Sequence, residues 1–269
     1  MNLHTTAIGH GEPRLIFLHG LFGQGRNWTT VARGLEPLGS SLLVDLPNHG
    51  RSDWTETFSY PAMADAVAGL LRAGPGPAVV VGHSMGGKVA MVLALRHPEL
   101  VRGLIVVDVS PDASADGYGF SSIADALSAL DLDQVADRKA ADAELAASIP
   151  DAGVRGFLLQ NLRHRPHGEP GMRWQFNLGL LSRELAEVSG WPAELNDRHY
   201  DGPVLWVAGE RSDYVSERQY PAMMRLFPET ALLTVPGAGH WVHSEQPAAT
   251  IEGLRNFLLA EGLLGGPTP

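Results

Sequence analysis

Short, mainly apolar runs recur along the chain and are separated by segments of helical character. Runs without polar alternation are typical of strands buried on both faces, as in a parallel sheet. Helical segments between most of the runs indicate a βαβ order, which predicts an α/β fold with a mostly parallel sheet flanked by helices. The runs lie at residues 15–18, 42–44, 78–81, 104–107, 204–207 and 232–235.

This alternation stops between residues 112 and 198, where the sequence has no convincing strand. Ala-rich segments at 123–130, 134–148 and 154–162 are separated by Gly and Pro and have a helical pattern. A helical insertion between two strands is best placed over the carboxyl ends of the sheet, where ligands bind in open α/β folds. We therefore expect a core formed by residues 1–111 and 199–269, with residues 112–198 as a helical cap.

Composition narrows the class of protein. The chain has 269 residues, a formal net charge of −10 and no cysteine, which argues against nucleic acid or an anionic membrane as partner and excludes thiolate chemistry. It has no apolar stretch of membrane-spanning length, and its first residues lack the features of a signal peptide, so a cytoplasmic location is expected. No long exposed apolar helix points to a dimer, and we expect a monomer or a small homo-oligomer.

The segment Gly-His-Ser-Met-Gly at residues 82–86 lies between the apolar run 78–81 and a predicted helix at 88–97. Gly82 and Gly86 lack a Cβ atom, so the strand and the helix can approach closely around Ser84. This strand–turn–helix arrangement presents the serine hydroxyl at the top of a sheet. Ser84 is therefore the candidate nucleophile.

A serine hydroxyl needs a base to remove its proton and an acid to orient that base. His240 is the candidate base, because it lies in a loop of Gly and Ala that follows the last apolar run. His243 follows three residues later, but no carboxylate with ligand spacing accompanies the pair, so no metal site is predicted. The expected chemistry requires no cofactor.

Two aspartates are candidates for the acid. Asp108 closes the run 104–107, and a carboxylate at the end of an apolar strand needs a hydrogen-bonding partner such as a histidine N–H. Asp213 lies in the loop after the run 204–207, where many hydrolases carry an aspartate, but it is displaced by one residue and Ser212 occupies the usual position. Asp108 is preferred and Asp213 is the alternative.

Backbone N–H groups should stabilise the oxyanion that forms on the substrate. The amide of Met85 is one candidate, and Leu21 is the first choice for the second donor, with Phe22 as the runner-up. Aromatic residues near the mouth and in the insertion are candidates for substrate contact, with core packing as the alternative interpretation. These residues are Phe22, Trp174, Phe176 and Trp241.

The chain resembles the α/β-hydrolase superfamily, and in particular the YbfF-type esterases and their abhydrolase-domain relatives. The resemblance rests on the order serine, acid, histidine and on several motifs, and it spans nearly the whole chain. It implies an acid similar to Asp108 and agrees with Ser212 in the later loop, whereas Asp213 departs from the family pattern. The motifs lie at residues 19–23, 48–52, 59–63, 82–88, 173–177 and 237–243.

These residues predict a serine esterase that hydrolyses small carboxylic esters through an acyl-enzyme. A dehalogenase or epoxide hydrolase would carry aspartate in place of Ser84, so both are excluded. A C–C bond hydrolase, a lactonase, a thioesterase or a cofactor-free perhydrolase could use the same three residues. A hydrolase-like ligand sensor is an alternative from a different class. A basic run at 163–165 is interpreted as a solvated helix end, with binding of an anionic group as its alternative.

Overall fold

The six apolar runs lie in six of the seven strands of one sheet in the computed structural model, which describes residues 1–74, 76–112 and 119–264. The strands are β1 Thr5–Ile8, β2 Pro13–Leu18, β3 Ser40–Val44, β4 Ala78–His83, β5 Val101–Val107, β6 Leu162–His164, β7 Met172–Trp174, β8 Val204–Gly209 and β9 Thr230–Val235. The strand order in the large sheet is β1-β3-β2-β4-β5-β8-β9, and a separate two-stranded sheet pairs β6 with β7.

All pairings in the large sheet are parallel except that of β1 with β3. Strand β4 lies between β2 and β5 and is buried along its whole length, as its unbroken apolar pattern predicts. In this register Gly82 lies beside Leu18 and Val106, so the turn after β4 and the ends of β2 and β5 meet at one edge of the sheet.

Helices cover both faces of this sheet. The helices are α1 Thr29–Leu35, α2 Tyr60–Ala73, α3 Met85–Arg96, α4 Phe120–Ala129, α5 Arg138–Leu145, α6 Ala152–Leu159, α7 Leu178–Arg183, α8 Leu185–Ser189, α9 Tyr220–Leu226, α10 Val242–Glu245 and α11 Pro247–Ala260. On one face, α1 and α11 pack against β2 and β4 around Phe17, Trp28 and Leu254. On the other face, α2 and α3 pack around Val67 and Val92.

The insertion after β5 differs in part from its prediction. Helices α4 to α6 match the three expected helical segments, but β6 and β7 form a short antiparallel hairpin where no strand was expected. Each strand has only three residues, too few to show an alternating pattern. The run 163–165, interpreted as a helix end, begins within β6.

Strand β1 was also not predicted. It is the antiparallel edge strand, and its residues are half-buried or exposed, so it lacks the apolar run that marks the inner strands. The helix expected at 88–97 begins earlier, at Met85, directly after the predicted nucleophile. This earlier start brings the first N–H groups of α3 to the edge of the sheet where Ser84 lies.

Candidate active site

Ser84 occupies a strained turn between β4 and α3. Its φ of 52° and ψ of −121° lie in a region that L-residues rarely adopt, and its N–H donates to the Val107 carbonyl at 3.0 Å. A Cβ on Gly82 would come within 2.7 Å of Gly87 Cα, and one on Gly86 within 2.6 Å of the Leu18 carbonyl oxygen. The two glycines therefore permit the close approach that holds Ser84 in this conformation.

Asp108 contacts the ring of His240 at the carboxyl end of β5. His240 Nδ1 lies 2.8 Å from Asp108 Oδ2, and because a carboxylate only accepts, the ring donates this hydrogen bond. Asp108 is fully buried and its Oδ1 accepts from the Gly209 N–H at 3.0 Å. Its φ of 54° directs the side chain toward the loop that follows β8. These contacts supply the hydrogen bonding that a buried carboxylate requires.

Asp213, the alternative acid, lies exposed on the loop after β8. Its neighbour Ser212 instead donates to Asp108 Oδ2, the oxygen that also accepts from His240. The structure thus brings Asp108, and not Asp213, to the His240 ring. Because Asp213 is displaced by one residue in this loop, Ser212 occupies the position that reaches Asp108.

Aromatic rings hold the imidazole of His240 in place. Tyr214 stacks on it with ring centroids 3.8 Å apart and an interplanar angle of 19°. His83 Nε2 donates to the His240 carbonyl at 2.8 Å, and burial, followed by the nearby His240 and His243, lowers the pKa of His83 well below its ordinary value. His240 Nε2 is buried and has no hydrogen-bond partner among the described residues, so it can take a proton from a nearby donor.

Two backbone amides were predicted as oxyanion donors, Met85 and Leu21, with Phe22 as the runner-up for the second. Met85 N–H belongs to the first turn of α3, and neither it nor Leu21 N–H donates to any atom of the residues described. The Phe22 N–H donates to His49 Nε2 at 3.2 Å and is therefore occupied. Leu21 lines both cavities that reach Ser84 and its N–H is not engaged by the described residues, whereas that of Phe22 is, which favours Leu21 over Phe22 as the second donor.

Two small cavities meet at Ser84 and Leu21. One, of about 20 Å³, extends between Lys88, Val109 and the end of α8. The other, of about 10 Å³, is lined by His240 and Trp241 and closed by α4 and α6. Ser84 therefore has one apolar space on either side, an arrangement suited to the two parts of a substrate that is cleaved at a central bond.

A match to a known protein family shows which family this chain belongs to. Residues 13–247 match the family model of the alpha/beta hydrolase fold. The chain belongs to the α/β-hydrolase family. This confirms both the family resemblance and the fold class predicted from the sequence.

Individual relatives cover nearly all of this α/β hydrolase. It is 39% identical over 255 residues to the mouse sn-1-specific diacylglycerol lipase ABHD11, and these residues cover 91% of this chain and 81% of the mouse protein. It is 32% identical over 258 residues to esterase YbfF of Escherichia coli, covering 94% and 96% of the two chains. A solved marine microorganism esterase has a TM-score of 0.90 and 32% identity, covering 95% of this chain and 99% of the other.

Only part of the predicted set of substrate contacts lines the cavities of this α/β hydrolase. Phe22 and Trp241 line the second cavity beside His240. Trp174 and Phe176 are buried and stack on each other with centroids 5.2 Å apart, and Phe176 packs against Phe22 at 4.9 Å. The structure places these two in the packing behind Phe22, because the β6–β7 hairpin directs them into the core rather than toward Ser84.

Other side chains on the cavity walls were missed. Phe120 of α4 contributes to both cavities, and Phe157 and Leu158 of α6 close the second. Each lies on the apolar face of a helix in the insertion, so helical periodicity could have identified the face. Which helix covers Ser84 depends on how the insertion packs, and the sequence pattern does not contain that information.

Lys88 was also not predicted to lie at the site, although it lines the first cavity. Its ammonium is buried and donates to the carbonyls of Asp112, Ser189 and Gly190 at 3.0, 2.8 and 2.8 Å. Burial lowers its pKa to about 8. Lys88 thus joins α3 to both ends of the insertion at the wall of the first cavity.

His243 does not form a metal pair with His240. Its ring is buried and stacks on Trp28 with centroids 4.2 Å apart. Within residues 1–74, 76–112 and 119–264, no group of three or more His, Asp or Glu side chains could hold a metal ion.

Proposed function

We propose that this α/β hydrolase cleaves small carboxylic esters through an acyl-enzyme on Ser84, with His240 as base and Asp108 as the acid that orients it. The observation that carries the proposal is the 2.8 Å contact between His240 Nδ1 and Asp108 Oδ2, at the sheet edge where Ser84 occupies its strained turn. This is the nucleophile–base–acid arrangement of serine hydrolases.

The broader class rests on the relatives. The chain is a serine ester hydrolase of the α/β-hydrolase fold, and it is at least 30% identical across most of its length to proteins named esterase or lipase. Their names differ in substrate, since one set is named for diacylglycerol and the other only as esterases. The class of ester is therefore the part that needs an experiment.

The reaction proceeds in two acyl transfers. His240 Nε2 takes the Ser84 proton as Oγ bonds to the ester carbonyl carbon, and the carbonyl oxygen becomes an oxyanion that accepts from the amides of Met85 and Leu21. The C–O bond to the alcohol then breaks, and His240 returns the proton to the leaving oxygen. Water attacks the acyl-enzyme with the same proton transfers and releases the acid and Ser84.

The size of the cavities supports a compact substrate. The enclosed spaces on the two sides of Ser84 have volumes of about 20 and 10 Å³, far below the range for ligand pockets, so only a compact substrate fits without displacing their walls. Aromatic and aliphatic side chains from α4 and α6 close the second space, which favours an apolar group of limited length. Short acyl esters fit this arrangement better than long-chain glycerides.

Hydrolysis of p-nitrophenyl esters from acetate to laurate tests the proposal, with dioleoylglycerol as a further substrate. We expect the highest kcat/KM at short chain lengths and labelling of Ser84 by a fluorophosphonate. Ser84→Ala should lose both turnover and labelling, whereas Ser244→Ala, at an exposed serine, should retain both. Retention of either signal in Ser84→Ala would exclude the mechanism.

The alternatives from the sequence give different outcomes. Labelling without ester turnover would direct the search to thioesters, lactones, C–C substrates and perhydrolysis. A single burst of product followed by very slow turnover on all these substrates would identify a ligand sensor instead. A maximum at dioleoylglycerol would overturn the preference for small esters and leave the serine mechanism intact.

Location and assembly stay predictions from the sequence: a cytoplasmic protein that is a monomer or a small homo-oligomer, with a small-molecule ester as its partner. Among the described helices, none combines the length and the apolar character needed to cross a membrane.

A further inference from the structure

A second concave site lies between the loop after β3 and the β6–β7 hairpin. The loop contributes Arg51 and Trp54 to this groove, and the hairpin contributes Arg163 and Arg173. Trp54 is 56% exposed, an unusual position for so large an apolar side chain. We call this site the arginine groove; it does not share a lining residue with the two cavities at Ser84.

Positive charge accumulates at the arginine groove. Burial, followed by the neighbouring guanidinium groups of Arg26, Arg138, Arg51 and Arg173 in that order of effect, lowers the pKa of Arg163 to about 10. Four arginines are therefore close enough to repel the charge of Arg163.

Carboxylates form no ion pair with these arginines in the described part of the chain, although Asp45 attracts Arg26 through space. Within the part of the chain that the structure describes, none of the five arginines forms an ion pair, although Arg155, Arg165 and Arg183 elsewhere in the insertion each do. Asp45, which lies near Arg26, accepts instead from the backbone N–H groups of Gly25 and Arg51 and from His4. The chain has a formal net charge of −10, so a cluster of arginines without ion pairs among the described residues is unusual in so acidic a protein.

The guanidinium groups of these arginines differ in how many hydrogen bonds they already donate within the protein. Arg163 donates to the carbonyls of Gln160 and Leu162 at 2.6 and 2.9 Å, and Arg138 also donates to Leu162. The side chains of Arg51 and Arg173 donate to no atom of the residues described here. Arg51 and Arg173 therefore keep all their donors available to a ligand.

We propose that the arginine groove binds a small ligand that carries a phosphate or diphosphate group. Converging guanidinium groups match the geometry of phosphate oxygens, and such charge-assisted hydrogen bonds are among the strongest in proteins. The groove is concave and built from two separate segments, which favours a small molecule over an extended surface. The exposed indole of Trp54 provides an apolar surface for the rest of that molecule.

Occupation of the groove would join the core to the insertion. The loop 50–54 follows β3, whereas the hairpin belongs to the insertion and contacts the core through the bridge between His49 and Phe176. An anionic ligand held by Arg51 on one side and Arg173 on the other would offset the repulsion that both exert on Arg163. Binding is therefore expected to raise the thermal unfolding temperature of the protein.

Calorimetric titration of the full chain with pyrophosphate tests this site. We expect saturable one-to-one binding that weakens as salt is added, because added ions screen the charges. The double variant Arg51→Gln/Arg173→Gln should bind at least about tenfold more weakly, since it removes two donors to a charged ligand. The matched control Arg102→Gln/Arg225→Gln removes the same charge at exposed positions outside the groove and should bind like the wild type.

Three results would overturn the proposal. They are an absence of saturable pyrophosphate binding by wild type, equal weakening in both double variants, and binding only to vesicles of phosphatidic acid, which would point to a lipid surface. Circular dichroism and hydrolysis of p-nitrophenyl acetate should be unchanged in both double variants. The pyrophosphate titration does not depend on the chemistry at Ser84, so the two proposals can fail separately.

Discussion

Ser212 donates its hydroxyl to Asp108 Oδ2, the same oxygen that accepts from His240 Nδ1 at 2.8 Å. The second oxygen of Asp108 accepts from the Gly209 N–H at 3.0 Å. The loop after β8 therefore surrounds a carboxylate that comes from β5, although the loop itself carries Asp213. A serine in this loop supports the buried charge and directs one oxygen toward the imidazole.

Ser212→Ala should lower kcat for a short ester by about tenfold, because one hydrogen bond to the charged carboxylate is lost. KM should stay near the wild-type value, since Ser212 does not line either cavity at Ser84. Steady-state kinetics on p-nitrophenyl acetate measures both constants. Ser216→Ala is the control in the same loop, because the Ser216 hydroxyl bonds to Gln219 and not to Asp108. An equal loss of kcat in both variants would contradict a specific role for Ser212.

Asp108→Asn should lower kcat by roughly 10⁴-fold, the scale of removing the acid of a catalytic triad. The amide would no longer hold the proton on His240 Nδ1, so Nε2 would lose its basic lone pair. Asp213→Asn should keep nearly full activity, because this side chain is exposed. If the Asp213 variant were inactive and the Asp108 variant active, the assignment of the acid would be reversed.

Ser84→Ala should abolish turnover by about 10⁶-fold, as expected when a serine nucleophile is removed. Ser84→Gly should be equally inactive and more stable than Ser84→Ala by about 1 kcal/mol, because glycine adopts φ near +52° without strain. Urea denaturation of the two variants measures this difference. Equal stability of both would show that the turn stores no strain at Ser84.

Buried neutral histidines should make the fold sensitive to acid. Burial, followed by nearby His19, lowers the pKa of His49 to about 3; for His243, burial and nearby His240 lower the pKa to about 3. In the unfolded chain each ring has an ordinary pKa of about 6.5, so below that pH the unfolded state binds protons that the folded state does not. Stability is therefore lost as pH falls from about 6.5 toward 3.

Linkage predicts a loss of roughly 2 kcal/mol per histidine between pH 7 and pH 5. His243→Phe keeps an aromatic ring against Trp28 and removes the titrating group, so it should lose about 2 kcal/mol less over this range. Urea denaturation at both pH values measures the difference. His199→Asn, at an exposed histidine, is the control and should keep the wild-type pH dependence. An unchanged pH dependence in His243→Phe would exclude His243 as a source of acid sensitivity.

The inner strands and the turn at Ser84 were predictable because their signals are local. Burial on both faces demands an unbroken apolar run, and a sharp turn before a helix demands glycine on both sides of the serine. Strand β1 and the β6–β7 hairpin were missed because an exposed edge strand and three-residue strands carry no such pattern. Of the four predicted substrate contacts, Phe22 and Trp241 line a cavity and Trp174 and Phe176 pack behind Phe22, since an aromatic residue has the same apolar character on a cavity wall and in the core.

The sequence by itself determined the order of the strands that carry apolar runs, and it predicted the nucleophile and the base, because each of these depends on residues close together in the chain. The tertiary structure alone decided that Asp108 meets His240 across 132 positions of sequence, that Trp174 and Phe176 lie behind Phe22, and that Arg51 and Arg173 line one groove. These relationships depend on how the insertion and the loops pack over the sheet. Many packings satisfy one local pattern of apolar and polar residues, and only the contacts made after folding distinguish between them.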